Sequence, residues 1–217
     1  MNSRFAIILI ALVAGFGTIL FISKNKADAP DGSNNAPAAQ ATSHTVGEGK
    51  SGVTLVEYGD FQCPACAAYH PLVKEIKEKY KEDITFQFRH FPLAQIHPNA
   101  QAAHRAAEAA GLQGKFFEMH DLLYERQNAW NNSRSPIGIF EGYAEELGLD
   151  VNKFRQDAAS SAVNASINAD MKAGQQAGAN STPTFVLNGQ KLDQNPRDLE
   201  AFEKLITEAI NEKSTGQ

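Results

Sequence analysis

Val53-Thr-Leu-Val-Glu-Tyr58-Gly-Asp-Phe-Gln-Cys63-Pro-Ala-Cys66 is the stretch on which the reading of this chain turns. A β-branched run ending at Tyr58 leads into a Cys-Pro-Ala-Cys unit. A helical period follows through Leu72, Val73, Ile76 and Tyr80. The chain has 217 residues and two cysteines, Cys63 and Cys66, so no third thiol is left for a structural disulfide. Two cysteines spaced by two residues at a strand-to-helix junction read as a redox pair. The first meets unpaired helix amides that favour a thiolate, and the second is placed to resolve a mixed disulfide.

Downstream, Ile84-Thr-Phe-Gln-Phe-Arg89 alternates apolar and polar residues and predicts a second strand. A helix joins it to the first, so the two pair in parallel as a βαβ unit. Strand signals then stop. The spacing predicts a helix over 99–110 and another over 115–127, with Phe116, Phe117, Met119, Leu122 and Leu123 forming an apolar stripe. Ser135-Pro136 reads as the opening of a third helix, closed by Gly148, and Asp150 as the cap of one long run toward Ala177. Strand character returns at Thr184-Phe-Val-Leu187. Asn188-Gly189 signals a hairpin turn, and Asn195-Pro196 reads as the start of a closing amphipathic helix. The expected class is an α/β sandwich with a helical insertion.

The amino terminus differs in kind. Residues 5–22, FAIILIALVAGFGTILFI, carry no charge and are flanked by Arg4, Lys24 and Lys26. Secretory cores run about 7–15 apolar residues and membrane spans about 17–25, so the length favours an uncleaved transmembrane anchor over residues 1–22. Ala27-Asp28-Ala29 resembles a cleavage site, which Pro30 disfavours. Either outcome puts the globular part outside the cytoplasm, in the periplasm or at the cell surface, where disulfides persist. Residues 23–50 lack a hydrophobic period and read as a disordered linker reaching roughly 30 Å. The folded unit is expected over 51–213. The formal net charge of −5, with no basic block, gives no sign of a nucleic-acid partner.

Several motifs now converge: Glu57 to Cys66, Arg89-His-Phe-Pro-Leu93, His97-Pro-Asn99, Lys115-Phe-Phe-Glu-Met-His-Asp-Leu-Leu123, and Thr182-Pro183-Thr184-Phe185 with Asn188-Gly189. In order and spacing this set resembles the DsbA-like branch of the thioredoxin superfamily, and within it the membrane-tethered bacterial thiol–disulfide oxidoreductases. The resemblance implies a thioredoxin-like fold interrupted by a helical domain at about 95–178, and a cis peptide before Pro183 lying against the cysteines.

Cys63 is then the expected nucleophile and Cys66 the buried resolving thiol; an inert staple closing so small a loop would constrain little chain entropy. Glu57 follows Val53 and Leu55 on an apolar strand face, which is costly for a carboxylate without a task or a partner. Related proteins carry a proton-relaying acid there. The plain alternative is an ion pair with Lys77 or Lys191. Pro64 and Ala65 would tune the redox poise, and neither side chain donates to the Cys63 sulfur. Thr182 and Pro183 would form the substrate-binding loop, with Phe61 beside the active-site surface or simply in the core. His90, His97, His104 and His120 read as structural or surface residues. A zinc site combining the cysteines with His70 and His90 or His97 is a rival that the large core disfavours.

The implied activity is introduction of disulfides into exported proteins, without a dissociable cofactor or metal. A membrane redox partner would reoxidise the pair, and the protein would be a monomer. A reductase or isomerase of the same fold is the alternative; a non-catalytic or metal-binding module is a more distant one.

Overall fold

The computed structural model describes residues 40–216. Its centre is a five-stranded sheet in the order β1-β3-β2-β4-β5, with β1 at His44–Val46, β2 at Val53–Gly59, β3 at Ile84–His90, β4 at Thr184–Leu187 and β5 at Gln190–Lys191. Strand β2 pairs in parallel with β3, through helix α1 (Pro64–Lys79), as the βαβ reading requires. It pairs antiparallel with β4 on its other side, and β5 returns beside β4. The Asn188-Gly189 turn is made as expected, with φ of 49° and 82° at its two residues.

Alternation builds the core. Val53, Leu55, Ile84, Phe86, Phe88 and Phe185 point inward from the central strands and meet Val73 and Ile76 of α1. Helix α8 (Leu199–Thr215) packs Phe202 and Ile206 onto the same cluster, with Phe202 edge-on to Phe185 at 5.1 Å. Each such side chain, fully buried, stabilises the fold by about 1.5–3 kcal/mol.

Between β3 and β4 lie six helices: α2 (Ala100–Gly111), α3 (Phe116–Glu125), α4 (Gln127–Trp130), α5 (Ile137–Glu146), α6 (Val151–Ala159) and α7 (Ser161–Gln176). The run expected to be continuous from Asp150 is two helices. Ser160 takes an extended ψ of 150° and its hydroxyl accepts from the Val163 amide, capping α7 and ending α6. Two other helix starts are corrected as well. Helix α5 begins at Ile137 with Pro136 at its cap position, so Ser135 provides no side-chain cap. Helix α8 begins at Leu199 under Asp198, whose carboxylate accepts from Ala201 N at 2.9 Å.

The linker expected over 23–50 also ends early. Strand β1 pairs antiparallel with β3, and Thr42 is held by the buried carboxylate of Asp170 through its amide (2.8 Å) and its hydroxyl (2.5 Å). Composition hid this strand because only three residues pair and their partners lie about forty residues away. The apolar run at 5–22 lies outside the described residues. Among those described, no helix is long and apolar enough to cross a membrane.

Candidate active site

Cys63 stands at the N-cap of α1, with an extended backbone (φ −70°, ψ 122°) and Pro64 in the first helical turn. Proline is tolerated there because its missing N–H would be unpaired anyway. The site holds both cysteines as thiols, Cys63 at 7% and Cys66 at 0% exposure. This difference matters: Cys63 reaches the surface and Cys66 does not.

The two thiols are driven apart in acidity. The Cys66 thiol lies against the Cys63 sulfur and is the largest influence holding Cys63 down to about 5. Burial works against it, while Thr182 and the backbone amides of Cys66 and Ala65 reinforce it. Cys66 moves the other way, pushed well up by burial, by its contact with Cys63 and by the negative charges of Glu57 and Cys63. One helix start thus yields a thiolate and a neutral thiol side by side.

The cis Thr182–Pro183 bond brings the β4 loop to this sulfur. The Cys63 thiol donates to the Thr182 carbonyl at 3.4 Å. The Thr182 hydroxyl is buried without a hydrogen-bond partner among the described residues, and Thr182 is one of the groups that hold the Cys63 thiol down. Asn195, expected to start a helix, instead donates from Nδ2 to the Pro183 carbonyl at 2.8 Å and fixes the loop.

Glu57 is 2% exposed, flanked in register by Phe88 and Phe185. Burial lifts its carboxyl to about 8; the Lys77 charge pulls it down and the Cys63 charge pushes it up. Lys77 is itself mostly buried over the Phe86 and Phe117 rings (5.4 and 5.1 Å), with its ammonium 3.7 Å from Asp121. Lys191 is exposed on β5, opposite Val186, and is not among the charges that act on Glu57.

Phe61 corrects the expectation of a residue beside the substrate. It is 0% exposed and packs against Phe88, His104 and Tyr124 at 4.7–5.0 Å between centroids, so no surface of it is free to touch a docked chain. Pro64 and Ala65 are exposed at the rim.

Three supporting residues escaped the sequence reading. The Asp60 amide lies 3.5 Å from the Cys66 sulfur, and its buried carboxylate accepts from Gln62 N, Leu93 N and His97. Gln127 donates to the Phe61 and Cys63 carbonyls (2.8 and 3.1 Å), tying α4 to the active-site turn. Gln62 takes the Asn99 amide at 2.6 Å and borders a cavity of about 610 Å³ with Pro64, Ile96, His97 and Arg134. Little in the local sequence marks these polar residues, because the partners that tie them to other elements are 33 to 66 positions away.

Residues 39–208 match a family described as Thioredoxin. The fold is shared with BdbD from Bacillus subtilis (19% identity, TM-score 0.69, 80% of this chain and 97% of that one). It is also shared with alpha-DsbA1 from Wolbachia pipientis (19%, 0.69, 81% and 94%) and a thioredoxin-like oxidoreductase from Silicibacter pomeroyi DSS-3 (24%, 0.65, 81% and 94%). The chain belongs to the thioredoxin family. Among curated proteins it is 38% identical over 167 residues to the Na(+)/H(+) antiporter NhaA 1 of Salinispora arenicola, covering 77% of this chain and 24% of that protein. A second antiporter, NhaA 3 of Salinispora tropica, is 37% identical over the same extent. The chain spans about a quarter of the length of these relatives, whose antiport is a property of the larger proteins.

Proposed function

We propose that this protein is a membrane-anchored, extracytoplasmic dithiol–disulfide oxidoreductase that introduces disulfides into exported proteins. The observation that carries the reading is the opposed acidity of Cys63 and Cys66, one held near 5 and the other raised well above 9.0. A stabilised Cys63 thiolate is a good leaving group, so its disulfides are readily passed on.

In the oxidised enzyme, a substrate thiolate attacks the Cys63 sulfur and breaks the Cys63–Cys66 bond. Cys66 leaves as a thiolate, and its high proton affinity draws a proton, for which Glu57 is the nearby buried source. A second substrate thiolate then attacks the substrate sulfur of the mixed disulfide, and Cys63 leaves as a stable thiolate. The substrate loses two electrons and the cysteine pair gains them. A membrane redox partner takes them back. Thr182 and Pro183 would hold the substrate as an extended segment against the sulfur. Residues 1–22 would serve as the anchor and 23–39 as the connection to the catalytic domain.

The test is the reduction potential of Cys63/Cys66 in the full-length chain, equilibrated with glutathione and read by thiol alkylation. A value near roughly −120 mV supports the oxidase. A value near roughly −270 mV moves the assignment to a reductase of the same fold.

A further inference from the structure

At the corner where β1, β3 and α2 meet, three side chains from three elements converge. One ligand atom from each of His44, His90 and Glu108 lies within 4.8 Å of the other two. His90 Nε2 is 2.7 Å from Glu108 Oε1, and His44 Nε2 contacts the same oxygen. We infer that this corner is a binding site for a divalent transition metal of the zinc class, held by His44, His90 and Glu108 and tying β1 to the core.

Four observations support the assignment. First, two imidazoles and one carboxylate are a donor set suited to zinc or cobalt, whereas calcium and magnesium favour oxygen. Second, the outer contacts orient the ligands. His90 Nδ1 is 2.6 Å from His104 Nδ1, the second hydrogen bond that fixes the ring of a metal-bound histidine. The His44 ring is stacked on Phe116, with centroids 3.5 Å apart and planes within 5°.

Third, charge is left over. Asp170 faces Arg89 at 2.9 Å, whereas among the described residues the ion-pair partners of Glu108 are the two imidazoles. A comparable cluster, His70, His120 and Asp121, lacks this feature: the ammonium groups of Lys74 and Lys77 lie within 4 Å of Asp121. Fourth, access is graded: His90 is fully buried, Glu108 nearly so, and the His44 side chain is 20% exposed, so the cluster lies at the edge of the core rather than deep within it.

The test uses the full-length chain with Cys63→Ser and Cys66→Ser, so that no thiol competes for metal. After chelation, loading with zinc chloride and desalting, one zinc per chain is expected. Cobalt chloride should give visible d–d absorption of an N₂O site, bleached by zinc. Adding His44→Gln, a change at a part-exposed edge position, should weaken zinc binding by more than the about 10–100-fold typical of losing an outer-shell partner. It should also abolish the rise in Tm that zinc gives the parent. Zinc-free protein after loading overturns the site. So does undiminished binding in a folded His44→Gln chain, which would mean an adventitious ion only.

Discussion

The Cys63 sulfur and the Thr182 carbonyl oxygen are 3.4 Å apart although 119 positions separate them in the chain. Two segments that fold in different parts of the sequence therefore share one reactive atom. The Thr182 carbonyl accepts from the thiol form, and on the proposed reading its unpartnered hydroxyl would turn to the thiolate.

That division of labour is separable. In Thr182→Val the carbonyl stays and the donor to the thiolate is lost. A hydrogen bond to a charged group is worth about 1.5–3 kcal/mol, so the alkylation midpoint of Cys63 should rise by about 1–2 pH units. The pH profile of iodoacetamide labelling reads it directly, and an unmoved midpoint would remove Thr182 from thiolate stabilisation.

The same profile in the parent should show Cys63 reacting with a midpoint near 5 and Cys66 silent. On the proposed mechanism, Cys63→Ser should abolish exchange and Cys66→Ser should accumulate the mixed disulfide, read by non-reducing electrophoresis. The reduced form carries a pH signature too. Because folding depresses the Cys63 value from 9.0 to about 5, its stabilising contribution is complete above 9.0 and disappears as pH falls through 5. Denaturation of dithiol protein against Cys63→Ser across this window should show the gap closing toward acid.

Glu57 titrates with the opposite consequence. Its folded value is raised from 4.5 to about 8, so the folded chain binds a proton more tightly than the unfolded one. Stability is highest below 4.5 and falls as pH rises through 8. Glu57→Gln should remove this decline, a difference on the order of a few kcal/mol at alkaline pH. It should also slow opening of the Cys63–Cys66 disulfide by a substrate thiol by about 10²-fold or more if Glu57 supplies the proton to the leaving Cys66. Stopped-flow exchange with a thiol peptide separates the two effects: a flattened stability profile with unchanged rates would leave Glu57 a spectator of the chemistry.

Gly174 is a packing requirement inside α7. A Cβ there would lie 2.7 Å from the Phe91 ring and 2.8 Å from that of Tyr58, closer than real contacts allow. Alanine is the better helix former by about 1 kcal/mol, yet overpacking costs about 1–3 kcal/mol. Gly174→Ala should therefore lower stability in urea denaturation, and a more stable variant would show that the rings move aside freely.

Asp170→Ala removes the acceptor of Thr42 N, Thr42 Oγ1, Arg89 and His90 N together. Breaking one side of a buried charged network costs about 3–5 kcal/mol. Hydrogen exchange should show the amides of β1 losing protection well before those of β2 and β3.

Periodicity carried most of the architecture. The β2–α1–β3 unit, the helical block, the hairpin at Asn188 and the cysteine pair all follow from signals contained within a few residues. What the sequence hid was long-range or negative. Strand β1 is too short for alternation to register, Ser160 looks like any polar residue in a helical run, and Asp60 and Gln127 become meaningful only through backbone groups that folding brings to them. Phe61 was ambiguous because an aromatic residue near a reactive site reads alike as core and as surface; its complete burial resolves it.

The sheet ends in small strands on both sides, three residues of β1 at one edge and two of β5 at the other. On the proposed reading, the clients are exported chains met before their disulfides have formed. Such chains carry unsatisfied strand segments that seek a template. A long bare edge would invite them to stay and recruit others into aggregates. With so little ladder to offer, this fold presents a client with the Thr182 loop and a reactive sulfur, and the encounter ends when the covalent bond between them is exchanged away.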